Sequence, residues 1–311
     1  MSDAVLICGS VAFDTIAVFE GRFKEHILPD RIHALSVSFL VPQMRREFGG
    51  CAGNIAYNLK LLGGQPQPVA TVGGDAEDYL KRFTQFGIDT QYLRVLPEMF
   101  TAQCFITTDL DDNQISAFHP GAMDRSADNI VGEHQARWAI VAPDSKAGML
   151  AHMDRFAKTG TPFLFDLGQA MPLFDADDLH AVFDKASAFA VNDYEASVVE
   201  QRTSMTIEQI AQKLQAVVVT RGGEGATVYT QGQKIDVPSV KPDAVVDPTG
   251  CGDAHRAGLI YGLTQGWSWE KSCMLGNIMG SIKIAHRGPQ NHTPTRDQIA
   301  RLMQQNFGVG F

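Results

Sequence analysis

The chain has 311 residues, a formal net charge of −9, 44% hydrophobic and 20% charged residues. That balance fits a soluble globular protein with a sizeable core, in one large α/β domain or two small ones, and it excludes a general nucleic-acid binder. The five cysteines are scattered without a C-x-x-C pair, no apolar run reaches transmembrane length, and no basic segment opens the chain; reduced thiols in a cytoplasm are expected, with no signal peptide and no membrane partner.

In chain order, residues 4–8 read as a buried strand ending at Gly9-Ser10, with Asp14 just beyond. From about 11 to 45 the pattern is strand-like and interrupted. Its runs are 15–19 and 32–41, with breaks at Glu20-Gly21 and Leu28-Pro29-Asp30. Gly49-Gly50-Cys51-Ala52-Gly53-Asn54 opens a helix in which Ile55, Leu59 and Leu62 keep helical spacing and Gly63-Gly64 end the run. Residues 105–108 and 114–118 flank an Asp/Asn-rich turn, a hairpin signal. With the strands of 15–41 they can form a small sheet apart from the main body.

Strand candidates then alternate with helical patterns at 139–141, 162–165, 188–191 and 216–219, the βαβ rhythm of a parallel sheet. Polar residues stand at their ends: Asp144, Asp166, Asn192 and Thr220. Ligands of such sheets bind beyond the carboxyl ends of the strands. Residues 226–229 and 234–237 read as a hairpin, and the chain after Asp253 as mainly helical.

Asp247-Pro248-Thr249-Gly250-Cys251-Gly252-Asp253 precedes a helix whose small or apolar residues 254, 257, 258 and 261 share one face. The first N–H groups of a helix lack intrahelical partners and carry the positive end of its dipole. Glycines let that backbone approach a phosphate or a transition-state oxyanion. A carboxylate does not bind phosphate; Asp253 makes sense there as the acceptor of a proton from a nucleophile attacking that phosphate.

This stretch resembles the second signature of the ribokinase-like (PfkB) carbohydrate and nucleoside kinases, and residues 49–64 resemble the first. The resemblance implies an α/β, ribokinase-like three-layer fold with a central, mainly parallel sheet and a small β-sheet lid. It implies one domain over 1–311, with the lid from about 11–45 and 100–120. It assigns Asp253 as catalytic base and the amides of Gly250, Cys251 and Gly252 as the anion hole. Cys251 stands where Ala is usual, and His255 is also a departure. Asn192-Asp193-Tyr194-Glu195 matches the family's Asn-x-x-Glu element, so Asn192 and Glu195 would reach a hydrated Mg²⁺; the same pattern is a common helix cap. Asn192, Thr220, Gly222 and Gly225 would hold ATP, with Asn277 at the adenine. Asp14, Gly50 and Asn54 would hold the acceptor, and Asp166 would support the site. Phe13, Phe105 and Phe118 are open to a base or to the core; Arg45, Arg46 and His119 stay unassigned.

Segments 19–23, Pro29-Asp30, 39–42 and 48–54 look most like bacterial adenosine and nucleoside kinases. The implied reaction is ATP- and Mg²⁺-dependent phosphorylation of the 5′-hydroxyl of adenosine or a related nucleoside, in purine salvage. The resemblance leaves room for a monovalent cation such as K⁺ and for a homodimer through the lid. The alternatives are a sugar kinase acting on ribose or fructose, and a non-catalytic nucleoside or sugar sensor, which would need neither Asp253 nor Glu195. No G-x-x-x-x-G-K-[ST], G-x-S-x-G or H-E-x-x-H is present.

Overall fold

The computed structural model describes residues 3–27, 36–111 and 113–311. The strands are β1 (Ala4–Cys8), β2 (Ala12–Val18), β3 (Gln43–Gly49), β4 (Gln65–Gly73), β5 (Leu93–Leu96), β6 (Ala102–Thr108), β7 (Gln114–His119), β8 (Trp138–Val141), β9 (Phe163–Asp166), β10 (Ala188–Asn192), β11 (Ala216–Thr220), β12 (Ala226–Thr230) and β13 (Gln233–Val237). The helices are α1 (Phe23–His26), α2 (Cys51–Leu61), α3 (Glu77–Phe86), α4 (Lys146–Thr159), α5 (Ala176–Lys185), α6 (Asp193–Thr203), α7 (Ile207–Ala211), α8 (Cys251–Thr264), α9 (Trp269–Ile284) and α10 (Arg296–Phe307).

Nine strands form the central sheet, in the order β13-β12-β11-β10-β9-β8-β1-β4-β5. It is parallel except for the β12–β13 hairpin at one edge. β1 shows why the strands read as short apolar runs: all five of its residues are buried, because both faces of the sheet are covered. Val5 and Ile7 point to a core shared with α2, α3, α8, α9 and α10. Leu6 and Cys8 point to a second core shared with α4, α5, α6 and α7. The result is the expected three-layer α/β fold.

β3, β2, β6 and β7 make a separate four-stranded sheet in that order. Here the sequence expectation needs correcting. Residues 36–41 carry no regular structure, residues 32–35 and the break at 28–30 lie outside the described residues, and the strand pairing with β2 is β3, Gln43–Gly49. Its Arg45, Arg46 and Glu47 hide it from a search for apolar runs. β4 also escaped notice because Pro66 and Pro68 lie in it. They are tolerated because β4 is paired there by β1 alone; β5 begins opposite Ala70.

The cleft lies at the carboxyl ends of β1, β9, β10 and β11, where α2 and α8 converge. Just past β1, Ser10 Oγ accepts the Cys51 N–H (3.0 Å) and Ser10 O accepts the Ala52 N–H (2.9 Å), which seats the first turn of α2. Gly50 has φ +82°, and a Cβ on it would lie 2.6 Å from the Ala12 nitrogen, so only glycine fits. Gly258 likewise lets α8 lie directly on α9, since its Cβ would meet the Gly276 nitrogen at 2.7 Å. No helix among the described residues is long and apolar enough to cross a membrane, and the five cysteines are free thiols.

Candidate active site

The turn before α8 is held by its own first residue. Asp247 accepts the Thr249 N–H through Oδ1 and the Gly288 N–H through Oδ2, both at 2.9 Å. Gly250 then takes φ +80° and caps the helix. Cys251 N–H is already used, donating to Pro248 O at 3.1 Å. Among the described residues no backbone bond takes up the N–H of Gly252 or Asp253. The free first-turn donors are therefore those of 252 and 253 rather than that of 251. Gly252 faces open space, so a ligand can approach its backbone.

Asp253 is half-buried at this helix start. Its Oδ2 accepts from Asn54 Nδ2 at 2.8 Å. Asn54 Oδ1 accepts from Gln290 Nε2 at 3.0 Å, and the same nitrogen reaches Tyr79 Oη at 2.7 Å. Arg82 Nε donates to Gln290 Oε1 at 3.1 Å, and Tyr79 Oη donates to Gly49 O at 2.6 Å. One polar chain thus ties Asp253 to α2, α3 and the loop after α9. Burial pushes the Asp253 carboxyl up to about 6; the Asn54 bond, the Cys51 thiol and Arg256 oppose the rise, while Asp166 adds to it.

Beneath it Arg256 and Asp166 form an ion pair, 5% and 7% exposed, with Nη2 donating to Oδ1 at 3.2 Å and Nε 3.1 Å from Oδ2. Glu195 lies beside this pair, and burial raises its pKa. Its two oxygens accept from Asn192 N and Nδ2, each at 2.9 Å, and Asn192 Oδ1 accepts the Glu195 N–H at 2.7 Å. Asn192 and Glu195 are therefore a capping box at the start of α6. They also stand at the cleft, since Asn192 pairs across β10–β11 with Thr220.

Thr220, Gly222, Gly225, Gly252 and Asn277 line a cavity of about 650 Å³, within the range of small-molecule sites. Gly222 and Gly223 face open space, whereas Gly225 (φ +92°) is compelled by contact with Val237 O. Asn277 donates to Val237 O (3.2 Å) and Pro238 O (2.9 Å), which fixes its amide at the wall. His255, unassigned from sequence, is buried between α8 and α9, with Nε2 3.7 Å from Cys273 Sγ, and burial lowers its pKa to about 3.

Directly paired residues of a sheet point to one face. Glu47, Asp14, Cys104 and Phe118 form one such row, and Arg45, Ile16, Ile106 and Ser116 the next. This face turns to the cleft: Glu47 Oε2 accepts from Asn291 Nδ2 at 2.8 Å, and Asp247 acts on Asp14. Burial, then Glu47 and Asp247, push Asp14 up to about 6. The three aromatic candidates now separate. Phe118 shares the Asp14 face and is half-exposed; Phe105 is on the outer face; Phe13 is core against Phe48 and Tyr79. Arg46 is no longer unassigned, since its guanidinium lies 3.5 Å above the Phe13 ring.

Tyr79, Arg82, Arg256, Lys283 and Gln290 are the residues that sequence reasoning missed. A charge at 256 among the apolar residues of a buried helix face was the one available signal, because a buried arginine implies a carboxylate partner.

Two carboxyls near 6 also predict a pH profile. Because kcat/KM reports the pKa values of the free enzyme, it should be flat above about pH 7 and fall through about pH 6 as Asp253 and Asp14 take up protons, with a limiting slope between about one and two. A profile flat to pH 5 would assign proton transfer to another group.

The sequence profile of the pfkB family carbohydrate kinases matches residues 11–296. A nucleoside kinase of Methanocaldococcus jannaschii is 26% identical over 274 residues, covering 87% of this chain and 90% of that protein. The structure of a Burkholderia thailandensis nucleoside kinase in complex with inosine is 48% identical, with TM-score 0.89, covering 98% of this chain and 99% of that one. The crystal structure of the M. jannaschii nucleoside kinase, described as an archaeal member of the ribokinase family, superposes with TM-score 0.88 over 97% of this chain and 98% of that one, at 26% identity. A carboxylate at a glycine-lined helix start, the three-layer fold and a profile match over nearly the whole chain together identify it as a member of the pfkB family of carbohydrate kinases.

Proposed function

We propose that the protein is an ATP- and Mg²⁺-dependent kinase that phosphorylates the 5′-hydroxyl of adenosine or a related purine nucleoside, in purine salvage. The observation that carries the nucleoside reading is the face of the small sheet bearing Asp14. Beside that carboxylate it presents Cys104, Phe118, Ile16 and Ile106. A free sugar offers hydroxyls to Asp14 but nothing to cover a half-exposed phenyl ring; a nucleobase covers it. The relatives named above support the same acceptor class.

In this reading the chain acts as one unit, and β3-β2-β6-β7 is the lid over the acceptor. Asp14, the Gly50 backbone and Asn54 hold the ribose. Asn54 has one amide hydrogen on Asp253 and one left for a sugar hydroxyl. Asp253 takes the proton of the 5′-hydroxyl, and the amides of Gly250, Gly252 and Asp253 receive the developing phosphoryl charge. ATP lies in the cavity of Thr220, Gly222, Gly225 and Asn277. Mg²⁺, when bound with ATP, neutralises charge on the phosphates. Glu195 and Asn192 are the groups to hold its water. No cluster of three or more His, Cys, Asp or Glu able to bind a metal occurs among the described residues, which suits an ion that keeps most of its waters. β7 is an edge strand exposed along its length, and Phe105 and Ile115 on the outer face support a homodimer through the lid.

Initial rates with ATP and Mg²⁺ on a panel of acceptors test the reading. Adenosine or inosine should be phosphorylated in preference to ribose and fructose. Stacking on an aromatic ring contributes about 1–3 kcal/mol per base, so Phe118→Ala should raise the nucleoside KM by roughly tenfold. Preference for a free sugar, or an unchanged nucleoside KM in Phe118→Ala, would overturn the acceptor assignment and leave the fold untouched.

A further inference from the structure

Lys283, near the end of α9, is fully buried. An ammonium taken out of water must find partners. Nζ donates to Asp247 O at 2.7 Å and to His286 O at 3.0 Å. The first carbonyl opens the turn that presents Gly250, Gly252 and Asp253. The second opens the loop that carries Gln290 into the Asp253 chain. The Asp247 carboxylate spans the same gap by accepting the Thr249 and Gly288 N–H groups; burial lowers the Lys283 pKa, and that carboxylate is the first charge to oppose the fall. The turn and the loop are thus pinned together by a buried cation between carbonyl oxygens, with a carboxylate beside it.

A dissolved monovalent ion, which the family resemblance left room for, would need the same kind of oxygens next to the turn. K⁺ is held by carbonyl oxygens that replace its hydration shell. Here the two carbonyls that face each other below the turn are spanned by a tethered ammonium, and the residues do not fit an added ion at that place.

We propose that Lys283 is the resident cation of the phosphoryl-binding turn, holding the Asp247 and His286 carbonyls, and through them the donors of Gly250, Gly252 and Asp253, without any dissolved monovalent ion. Lys283 is a positioning residue: it touches no reacting atom and acts through the turn. The inference rests on the kinase reading, so its test uses whichever acceptor, nucleoside or free sugar, the parent protein turns over. Failure of the nucleoside assignment then leaves the cation test intact.

The parent rate is measured in sodium, potassium, ammonium and tetramethylammonium chlorides at equal ionic strength. All should agree within about twofold, because general screening is held constant; several-fold activation by K⁺ overturns the proposal. Lys283→Ala removes the ammonium and leaves room between the carbonyls. Its kcat should fall by about tenfold or more with little change in acceptor KM, since the loss is of transition-state alignment. K⁺ or methylammonium should restore part of kcat in a saturable way, and Lys283→Met, which fills the space, should stay low in every salt. A parental kcat in Lys283→Ala overturns the proposal, and so does a loss that no cation restores at a parental melting temperature. Should Lys283→Ala fail to fold, the salt series on the parent decides alone.

Discussion

Asp253→Asn should keep the parental melting temperature and lose at least ~10²-fold in kcat, the low end for removal of a general base. Asn has nearly the same shape, and its amide oxygen can still accept from Asn54, so the Asn54–Gln290–Tyr79 chain stays connected. Asparagine is also well tolerated at helix starts. What it cannot do is take the proton of the attacking hydroxyl. Because that interaction belongs to the transition state, the KM values for ATP and acceptor should change little. Measuring kcat, both KM values and melting temperature on one preparation checks this. A near-parental kcat at a parental melting temperature would remove Asp253 from the chemistry and leave it a structural acceptor for Asn54.

Arg256→Met should destabilise the fold by about 3–5 kcal/mol, the usual result of removing one partner of a buried ion pair. Asp166 would be left as an unpaired carboxylate in the core, with Asp253 and Glu195 both close enough to repel it. Removing both charges should cost less: Arg256→Met with Asp166→Leu leaves no stranded ion, and such replacements are often near neutral. Urea unfolding of the two variants makes the comparison. The same arginine acts on Asp253, because its charge lowers the pKa of that carboxyl. The acid limb of kcat/KM in any folded Arg256→Met sample should therefore move to higher pH. A single variant as stable as the parent would show that Asp166 and Arg256 are not an energetically coupled pair.

These residues show how much of the site could be read from the chain alone. The Gly250-Cys251-Gly252-Asp253 turn was legible because its geometry is local: glycine at positive φ, then free first-turn amides. The Asn192–Glu195 box was legible for the same reason, as its partners are three residues apart. Its two readings could not be separated from the sequence, since the one spacing serves a cap and a metal's water shell alike. Phe118 and Phe105 looked equivalent in the hairpin. Only register separates them, because residues one apart in parity point to opposite faces.

The sequence by itself determined the layers. Short apolar runs alternating with helical patterns give the βαβ rhythm of a parallel sheet, and a parallel sheet needs helices to cover both faces. It also determined where the glycine turn at the start of α8 would lie. The tertiary structure alone decided what supports that turn. Asn54 and Asp253 are 199 residues apart, and Asn54 and Gln290 are 236 apart. Lys283 meets the Asp247 carbonyl across 36 residues. None of these pairs has a periodicity to betray it. A buried polar group must be satisfied, but any element that the fold brings within reach can satisfy it. The β3 correction has the same cause: a strand whose charges are split between its two faces, Arg45 and Glu47 toward the cleft and Arg46 over the Phe13 ring, is held by pairing with β2, not by an apolar pattern of its own.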